Sequence, residues 1–412
     1  MKTRQRLALA LALVLMTCGL IGGFTAWTIG LNILQPAGPA GSPTITFTVR
    51  QGETTNEVAD DLVAKKIITN ALAFRLWSRY KGLDQNLQPG TYELSASMTI
   101  PKIVEVFLQN VQSENTVTIP EGFRILQIAK LFADKSPQHK LSSDEFIQIA
   151  QTGSYTDTDG KTVELSSEYW FLNHDQQADT DPKLALEGFL FPDTYRIAAN
   201  TTAADVIHKM LDNFAKHLCP GPSNQPNAYF SDEQQCEANA VKDDTTQQSI
   251  FDLLKKSYTD ADGTSMADKL FHALTLASIV EREARTDDGR QGVTSVYYNR
   301  YLVSKGELKA PEFGLNQMQA DPTVQYALGT PDEPWPKLTK PGKDYDVGAY
   351  NTYHNPGLPP GPICSPGASA LSQSFSPEDS PYFYFIYGKD QKNHYARTLA
   401  EQNANIAQYG VG

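Results

Sequence analysis

The segment LTLASIVEREA, from Leu274 to Ala284, is the most informative stretch of this chain. It is a nearly unbroken apolar helical run that ends with two carboxylates, Glu281 and Glu283. On a helical wheel each glutamate shares a stripe with apolar residues, so periodicity does not separate them. A carboxyl held against apolar surface can keep its proton near neutral pH and donate it to a leaving oxygen. The alternative is a helix end at which both glutamates are solvated.

The size and charge of the chain restrict its class. With 412 residues it exceeds the usual size of a single core, which predicts two or more domains beyond any anchor. The net charge is -12, and no Lys/Arg cluster occurs outside the extreme N-terminus. Because binding of nucleic acid needs concentrated basic residues, we expect a neutral polymer or a small ligand as the partner and no nucleic acid.

The N-terminus has the pattern of a membrane anchor. Residues 1–6 carry three basic side chains and precede an uncharged, largely apolar segment at 7–34, which exceeds the about 20 residues that span a bilayer. The basic tail predicts a cytoplasmic N-terminus. We expect an uncleaved, single-pass signal anchor in the cell membrane, with the remaining chain outside the cytoplasm. Residues 35–44, rich in Pro and Gly, are the predicted linker.

The remaining chain has an α+β pattern in two parts. Residues 45–112 read as strand, two helices, strand and helix, which predicts a small mixed module. Residues 113–412 predict a larger mixed α+β domain, with helices near 203–218, 247–256 and 267–284. Within it, Cys219 and Cys236 bracket a polar, Pro-rich segment that predicts an inserted loop over about 219–245. A disulfide and two unpaired thiols are equal alternatives, because spacing does not report the Cα separation.

Several kinds of catalytic site have no motif here. The seven histidines include no HExxH and no zinc-type spacing with Cys, and the chain has no GxSxG elbow, P-loop or dinucleotide fingerprint. We therefore predict no metal and no cofactor. What remains is carboxylates, amides and tyrosines, the side chains of carbohydrate-active enzymes. The Pro/Gly-rich segment at 310–367 has two interpretations. It is either an ordered sugar-binding surface or a surface loop stiffened by proline.

Seven motifs, occurring together in this order, resemble those of a known family. They are TIPEG at Thr118–Gly122, LEGFLFPDTY at Leu186–Tyr195, ASIVEREA at Ala277–Ala284, YNR at Tyr298–Arg300, QADPTVQY at Gln319–Tyr326, YNTYHNPGLPPGPICSPG at Tyr350–Gly367, and HYARTLAEQN at His394–Asn403. With them the chain resembles the YceG-like family of membrane-anchored endolytic murein transglycosylases. The resemblance spans nearly the whole chain from the anchor onward.

The resemblance implies a reaction and a catalytic residue. The first glutamate of the family motif maps onto Glu281, which leaves Glu283 as a supporting residue. Glu281 would protonate the glycosidic oxygen between N-acetylmuramic acid and N-acetylglucosamine and then deprotonate the muramoyl C6 hydroxyl, giving a 1,6-anhydro product. The resemblance also implies a LysM-like glycan-binding subdomain at 45–112, a YceG-like catalytic domain at 113–412, and a position beside peptidoglycan synthases.

Other site residues follow from the same motifs. Gln319, Tyr350 and Asn351 are candidates for orienting the sugar, with Asn351 also a candidate for positioning Glu281. Tyr353 and His394 are further supporting candidates, although His394 also fits ordinary loop packing. Two residues, Glu187 and Asp321, could act as a second carboxylate in a hydrolytic muramidase. For Asp321 we expect instead a local role, capping the turn before Pro322. A non-catalytic glycan-binding scaffold is the other alternative.

Overall fold

The computed structural model describes twelve stretches of the chain. They are residues 35–39, 41–50, 52–112, 115–136, 141–157, 159–174, 185–198, 201–221, 230–242, 248–258, 264–284 and 287–410. The predicted anchor at 7–34 lies outside them. Within the described stretches, no helix is long and apolar enough to cross a membrane.

The chain divides into two compact units, of which the first comprises the residues up to Glu114 together with Ala198–Asn200. In the first unit, strand β1 pairs antiparallel with β2, Thr44 lying opposite Ser95. Three helices accompany this small sheet. The elements are β1 (Thr44–Val49), α1 (Thr55–Ala64), α2 (Ala71–Lys81), β2 (Gly90–Ser95) and α3 (Ile100–Gln112).

The first unit has its own core and a well-capped first helix. The Thr54 side chain accepts the N–H of Glu57, whose carboxylate accepts the Thr54 N–H, so a capping box begins α1. Rings from both strands pack edge-on against Phe107 of α3. The predicted strand, helix, helix, strand and helix order is therefore confirmed for this part of the chain.

The second unit comprises residues 115–197 and 201–412. Its described strands form three separate antiparallel pairs, β3 with β6, β4 with β5, and β7 with β8. Helices supply most of its core. The elements are β3 (Asn115–Thr118), α4 (Ile125–Lys135), α5 (Ser143–Thr152), β4 (Ser154–Thr156), β5 (Thr162–Glu164), β6 (Thr194–Ile197), α6 (Ala203–Leu218), α7 (Glu233–Ala238), α8 (Ile250–Ser257), α9 (Met266–Glu283), α10 (Asp287–Ser304), α11 (Asp321–Leu328), α12 (Ala368–Phe375), β7 (Tyr384–Tyr387), β8 (Asn393–Ala396) and α13 (Leu399–Tyr409).

Helix α9 runs through the centre of the second unit. Ser265 caps its N-terminus with Asp268 in a capping box. Every residue from Ala273 to Val280 is buried, and the helix packs against α8, α10, α11 and α12. Burial on all sides explains why the sequence of this helix is apolar all round. The helix leaves the core at its last turn, which carries Glu281.

The segment between Cys219 and Cys236 differs from the prediction. Cys219 follows α6, Cys236 lies within α7, and the two form a disulfide with Cα atoms 5.1 Å apart. The sequence did not predict the helix α7 within this segment, whereas the insertion itself stays a prediction. Asp232 caps this short helix by accepting the Gln235 N–H. The third described cysteine, Cys364, is a buried free thiol.

Candidate active site

Glu281 lies at the point where helix α9 leaves the core. Its side chain is 7% exposed and has two partners from distant parts of the second unit. Arg290 of α10 donates from Nη2 to Glu281 Oε1 at 3.1 Å, and the Gly367 N–H, immediately before α12, donates to Oε2 at 3.1 Å. Both carboxylate oxygens are thus held in fixed directions.

The surroundings of Glu281 act on its pKa in opposite directions. Burial raises the pKa of Glu281, while the Gly367 N–H and the Arg290 guanidinium lower it and the Glu121 carboxylate raises it. The net result is a pKa above the ordinary value for glutamate. Glu281 therefore holds a proton more strongly than a solvated glutamate does, while two donors are in place for its ionised form. These are the properties of a group that both donates and accepts a proton.

The TIPEG turn forms one side of this site. Glu121, in the turn between β3 and α4, is half exposed, and its Oε2 lies 3.7 Å from Arg290 Nη2. The turn is pinned to the segment before α12, because the Gly122 N–H donates to Ser365 O at 2.8 Å and the Ser365 N–H donates to Phe123 O at 2.8 Å. Gly122 has a φ of +76°. A Cβ there would lie 3.6 Å from Glu281 Cγ, so the turn packs closely against the Glu281 side chain.

An aromatic and cationic pair lies next to Glu281. The Arg282 guanidinium lies 4.0 Å from the centre of the Trp335 ring. On the same ring, Nε1 donates to Gln127 Oε1 at 3.2 Å. An exposed arginine stacked on a tryptophan gives this rim of the site a positive charge held in one place.

Glu283 has a different environment from Glu281. Its Oε1 accepts the phenolic hydrogen of Tyr297 at 3.1 Å, and Tyr297 is almost fully buried on α10. The two glutamates of the motif thus serve different parts of the second unit. Glu281 faces the TIPEG turn and the start of α12, whereas Glu283 anchors α9 to α10.

The QADPT segment is held by buried and half-buried polar contacts. Gln319 adopts a left-handed φ of +56°, and its Oε1 lies 3.4 Å from Arg300 Nη1. The N-cap of α11 is Ala320, with no capping side chain, so the predicted cap by Asp321 is wrong. Instead, Tyr353 donates its hydroxyl to Asp321 Oδ1 at 2.9 Å. This bond joins the QADPT segment to the YNTYHN segment.

Tyr350 and Asn351 are interior residues. Tyr350 packs with its ring 5.0 Å from that of Tyr326. The Asn351 amide donates to Tyr345 O at 2.6 Å and its Oδ1 accepts the Tyr353 N–H at 3.0 Å. In the described part of the chain, the side-chain bonds of Asn351 all stay within 342–353, so they shape this loop and do not reach Glu281.

Glu187 is buried in the interior behind the site. It is 2% exposed, and it accepts the Ile125 N–H at 3.1 Å and the Tyr326 hydroxyl at 3.3 Å. Burial raises the pKa of Glu187 to about 7, in spite of the opposing charge of Arg124. The carboxyl faces protein on all sides, so this arrangement gives it no route to a bound sugar.

His394 lies in the C-terminal hairpin formed by β7 and β8. Its Nε2 lies 3.0 Å from Asp390 Oδ2, and its ring stacks on Tyr409 with centroids 3.5 Å apart. Both partners belong to the end of the chain, which agrees with a packing role for this histidine.

Three residues of the site were not among those that we selected from the sequence: Glu121, Arg290 and Gly367. Glu121 and Gly367 lie inside the TIPEG and SPG motifs, which could have indicated them. Arg290 lies outside every motif that we recognised, and only the packing of α10 beside α9 brings it to Glu281. Among the described residues, no three His, Cys, Asp or Glu side chains converge as a metal site.

Comparison with known proteins gives matches over nearly the full chain. The family model described as the YceG-like family matches residues 47–408. An endolytic murein transglycosylase of Bacillus subtilis is 26% identical over 95% of this chain and 91% of its own length. One from Streptococcus pneumoniae is 24% identical over 94% of this chain but only 62% of its own length. A crystal structure of a yceG-like protein from Listeria monocytogenes matches with a TM-score of 0.50 and 26% identity, covering 88% of this chain and 99% of that one.

Proposed function

Because this chain belongs to the YceG-like family, we propose that it is an endolytic peptidoglycan lytic transglycosylase, a lyase acting on a polysaccharide. Its substrate is the bond between N-acetylmuramic acid and N-acetylglucosamine within nascent glycan strands, and its cleavage limits strand length. The observation that carries the proposal is the environment of Glu281. This carboxyl is nearly enclosed, has a raised pKa, and is held by one guanidinium and one backbone N–H.

In the first step Glu281 is the acid. Its proton passes to the glycosidic oxygen as the bond from that oxygen to C1 of the muramoyl residue breaks. Burial raises the pKa of Glu281, which favours the protonated form that this step requires. The carboxylate that forms receives hydrogen bonds from Arg290 and Gly367, which are already in position and stabilise the new charge.

In the second step the same carboxylate is the base. It takes the proton of the muramoyl C6 hydroxyl as O6 bonds to C1, and Glu281 is protonated again at the end of the cycle. A water molecule is not consumed, so no second carboxylate is required to activate one. Glu187 is enclosed by protein, which argues against it as a second carboxylate for hydrolysis. Asp321 is exposed and accepts a hydrogen bond from Tyr353 at Oδ1.

The rest of the chain fits a position at the membrane. We propose that residues 7–34 anchor the protein in the cell membrane with the N-terminus in the cytoplasm, and that residues 45–112 form a LysM-like module that binds glycan. Both features support a place beside the peptidoglycan synthases, where uncrosslinked strands emerge. The short linker at 35–44 limits how far the first unit can move from the bilayer.

The test is product analysis with the purified full chain and uncrosslinked glycan strands. Mass spectrometry of the fragments should show 1,6-anhydro ends with the wild type and none with Glu281→Gln, which keeps the shape but has no transferable proton. Glu333→Gln, at an exposed position, is the matched control and should cleave as the wild type does. Reducing ends would show hydrolysis instead, and intact strands with the wild type would favour the scaffold alternative.

A further inference from the structure

One cation at the site is shared between two carboxylates. Nη2 of Arg290 lies 3.1 Å from Glu281 Oε1 and 3.7 Å from Glu121 Oε2. The two acids differ in access to water, since the side chain of Glu281 is 7% exposed and that of Glu121 is 49% exposed. A guanidinium next to a single buried carboxylate would favour its ionised form and weaken it as an acid. A second carboxylate on the same guanidinium opposes that effect.

Glu121 also touches the other partner of Glu281. A Cβ built on Gly367 would lie 1.9 Å from Glu121 Oε1 and 2.0 Å from its carboxyl carbon. The carboxyl group of Glu121 thus packs directly on the backbone of Gly367, whose N–H donates to Glu281 Oε2. Glu121 is therefore placed against both groups that hold the catalytic carboxyl.

We propose that Glu121 is a positioning residue that shares Arg290 with Glu281 and thereby favours the protonated form of Glu281. The assignment rests on the proposed transglycosylase function. Glu121 transfers no proton itself in this scheme. It acts through Arg290 and through its negative charge, which disfavours a second negative charge on Glu281.

Among the side chains that the structure describes, the charged and titratable groups around Glu281 come from four elements. Arg290 faces it from α10, Glu121 from the turn before α4, Arg282 follows it on α9, and the Cys364 thiol precedes α12. Burial raises the pKa of Cys364 well above its ordinary value, so this thiol is uncharged at neutral pH. Arg282 is stacked on Trp335. Burial is the largest cause of the raised pKa of Glu281, and among these described groups Glu121 is the anion that raises it further.

The test is the pH dependence of kcat/KM for the full chain acting on uncrosslinked strands. In the wild type the basic limb reports loss of the Glu281 proton. In Glu121→Gln we expect that limb to move to lower pH, so that activity at about pH 8 falls roughly threefold or more while activity at about pH 5 is retained. Glu121→Asp keeps the charge and should restore much of the wild-type profile. Glu93→Gln, an exposed position in the first unit, is the control for loss of a surface charge.

A second measurement does not depend on activity. Because the pKa of Glu281 is raised in the folded state, its ionisation destabilises the fold as pH rises. Glu281→Gln removes that ionisation and should therefore stabilise the fold more at high pH than at low pH. This pH-dependent gain should be smaller when Glu281→Gln is added to Glu121→Gln than when it is added to the wild type. The comparison remains informative even if Glu121→Gln cleaves no strands.

Two results would overturn the assignment. An unchanged profile in Glu121→Gln, or an equal loss of activity at every pH, would show that Glu121 does not control the Glu281 proton. Absence of anhydro ends from the wild type would instead refute the transglycosylase proposal. The two failures are thus distinguishable.

Discussion

Replacing Glu187 by Gln should change how the stability of the second unit depends on pH. Glu187 is a fully enclosed carboxyl that accepts hydrogen bonds from the Ile125 N–H and from Tyr326. Gln retains a carbonyl oxygen that can accept the same bonds and has a similar shape. The substitution therefore removes the ionisation of this residue and leaves its packing largely in place.

The magnitude follows from the pKa of Glu187 in the folded state. Burial raises that pKa from 4.5 to about 7. A group with a raised pKa binds its proton more tightly in the folded state, so ionisation destabilises the fold as pH rises between the two values. The difference in pKa corresponds to about 3 kcal/mol. From about pH 4 to about pH 8, Glu187→Gln should therefore gain about 3 kcal/mol in free energy of unfolding relative to the wild type.

The assay must isolate the second unit, because a chain with two compact units need not unfold in one transition. Hydrogen exchange measured on peptides from α9 in increasing urea gives the free energy of opening for this part of the molecule. Each protein is measured at several pH values, and only the difference between variant and wild type is compared. Glu333→Gln again serves as an exposed control and should show no pH-dependent difference.

A difference between Glu187→Gln and the wild type that stays constant from acid to neutral pH would refute this reasoning. So would a relative loss of stability in the variant as pH rises. Either outcome would mean that the Arg124 charge, together with the two hydrogen bonds, outweighs the cost of burying an ionised Glu187.

Three further predictions concern other parts of the second unit. Gly367→Ala should lower kcat at least about tenfold with little change in secondary structure by circular dichroism, because its Cβ would overlap the Glu121 carboxyl and shift the N–H that holds Glu281. His208→Gln should cost stability below about pH 6.5, and this cost should shrink as pH rises in urea titrations. Burial lowers the pKa of His208, but the Glu168 carboxylate and the Ala204 carbonyl raise it overall, so its stabilising effect is lost as pH rises through the raised value. Replacing both cysteines of the disulfide by Ser should lower the free energy of unfolding by about 3 kcal/mol, since the bridge links positions that are 17 apart in the chain. A reductant should then affect only the wild type.

Several features of the fold could be predicted because they have local causes. The order of strands and helices in residues 45–112 and the apolar run of α9 each depend on residues that are neighbours in the chain. The short helix α7 was not predicted from the sequence. Its polar composition is typical of loops, whereas the Asp232 cap and the disulfide that bring a short helix into place depend on side-chain geometry.

The candidate site could be predicted only in part, because its geometry depends on contacts between distant segments. Gly367 and Glu281 are separated by 86 positions, and Ile125 and Glu187 by 62. The periodicity of apolar residues along the sequence does not show which distant segments come into contact. The wrong cap for Asp321 shows the same limit, since the sequence offers an acceptor next to a turn but does not show that Tyr353 will occupy it.

The separation of Glu281 from Glu283 shows what tertiary structure adds to a motif. The two glutamates are two residues apart on a helix that is buried on all sides. Both side chains leave the core at the same turn, but they point in directions about 160° apart. Glu281 points towards the TIPEG turn and the start of α12. There the Gly367 N–H and the Arg290 guanidinium donate hydrogen bonds to its carboxylate. Glu283 points in the other direction, towards Tyr297. The buried Tyr297 hydroxyl donates to Glu283 and fixes it against α10. Exchange of the two environments would require rotating α9 within a closely packed core, so the contacts of Glu281, and not those of Glu283, are the ones that suit the catalytic role we propose.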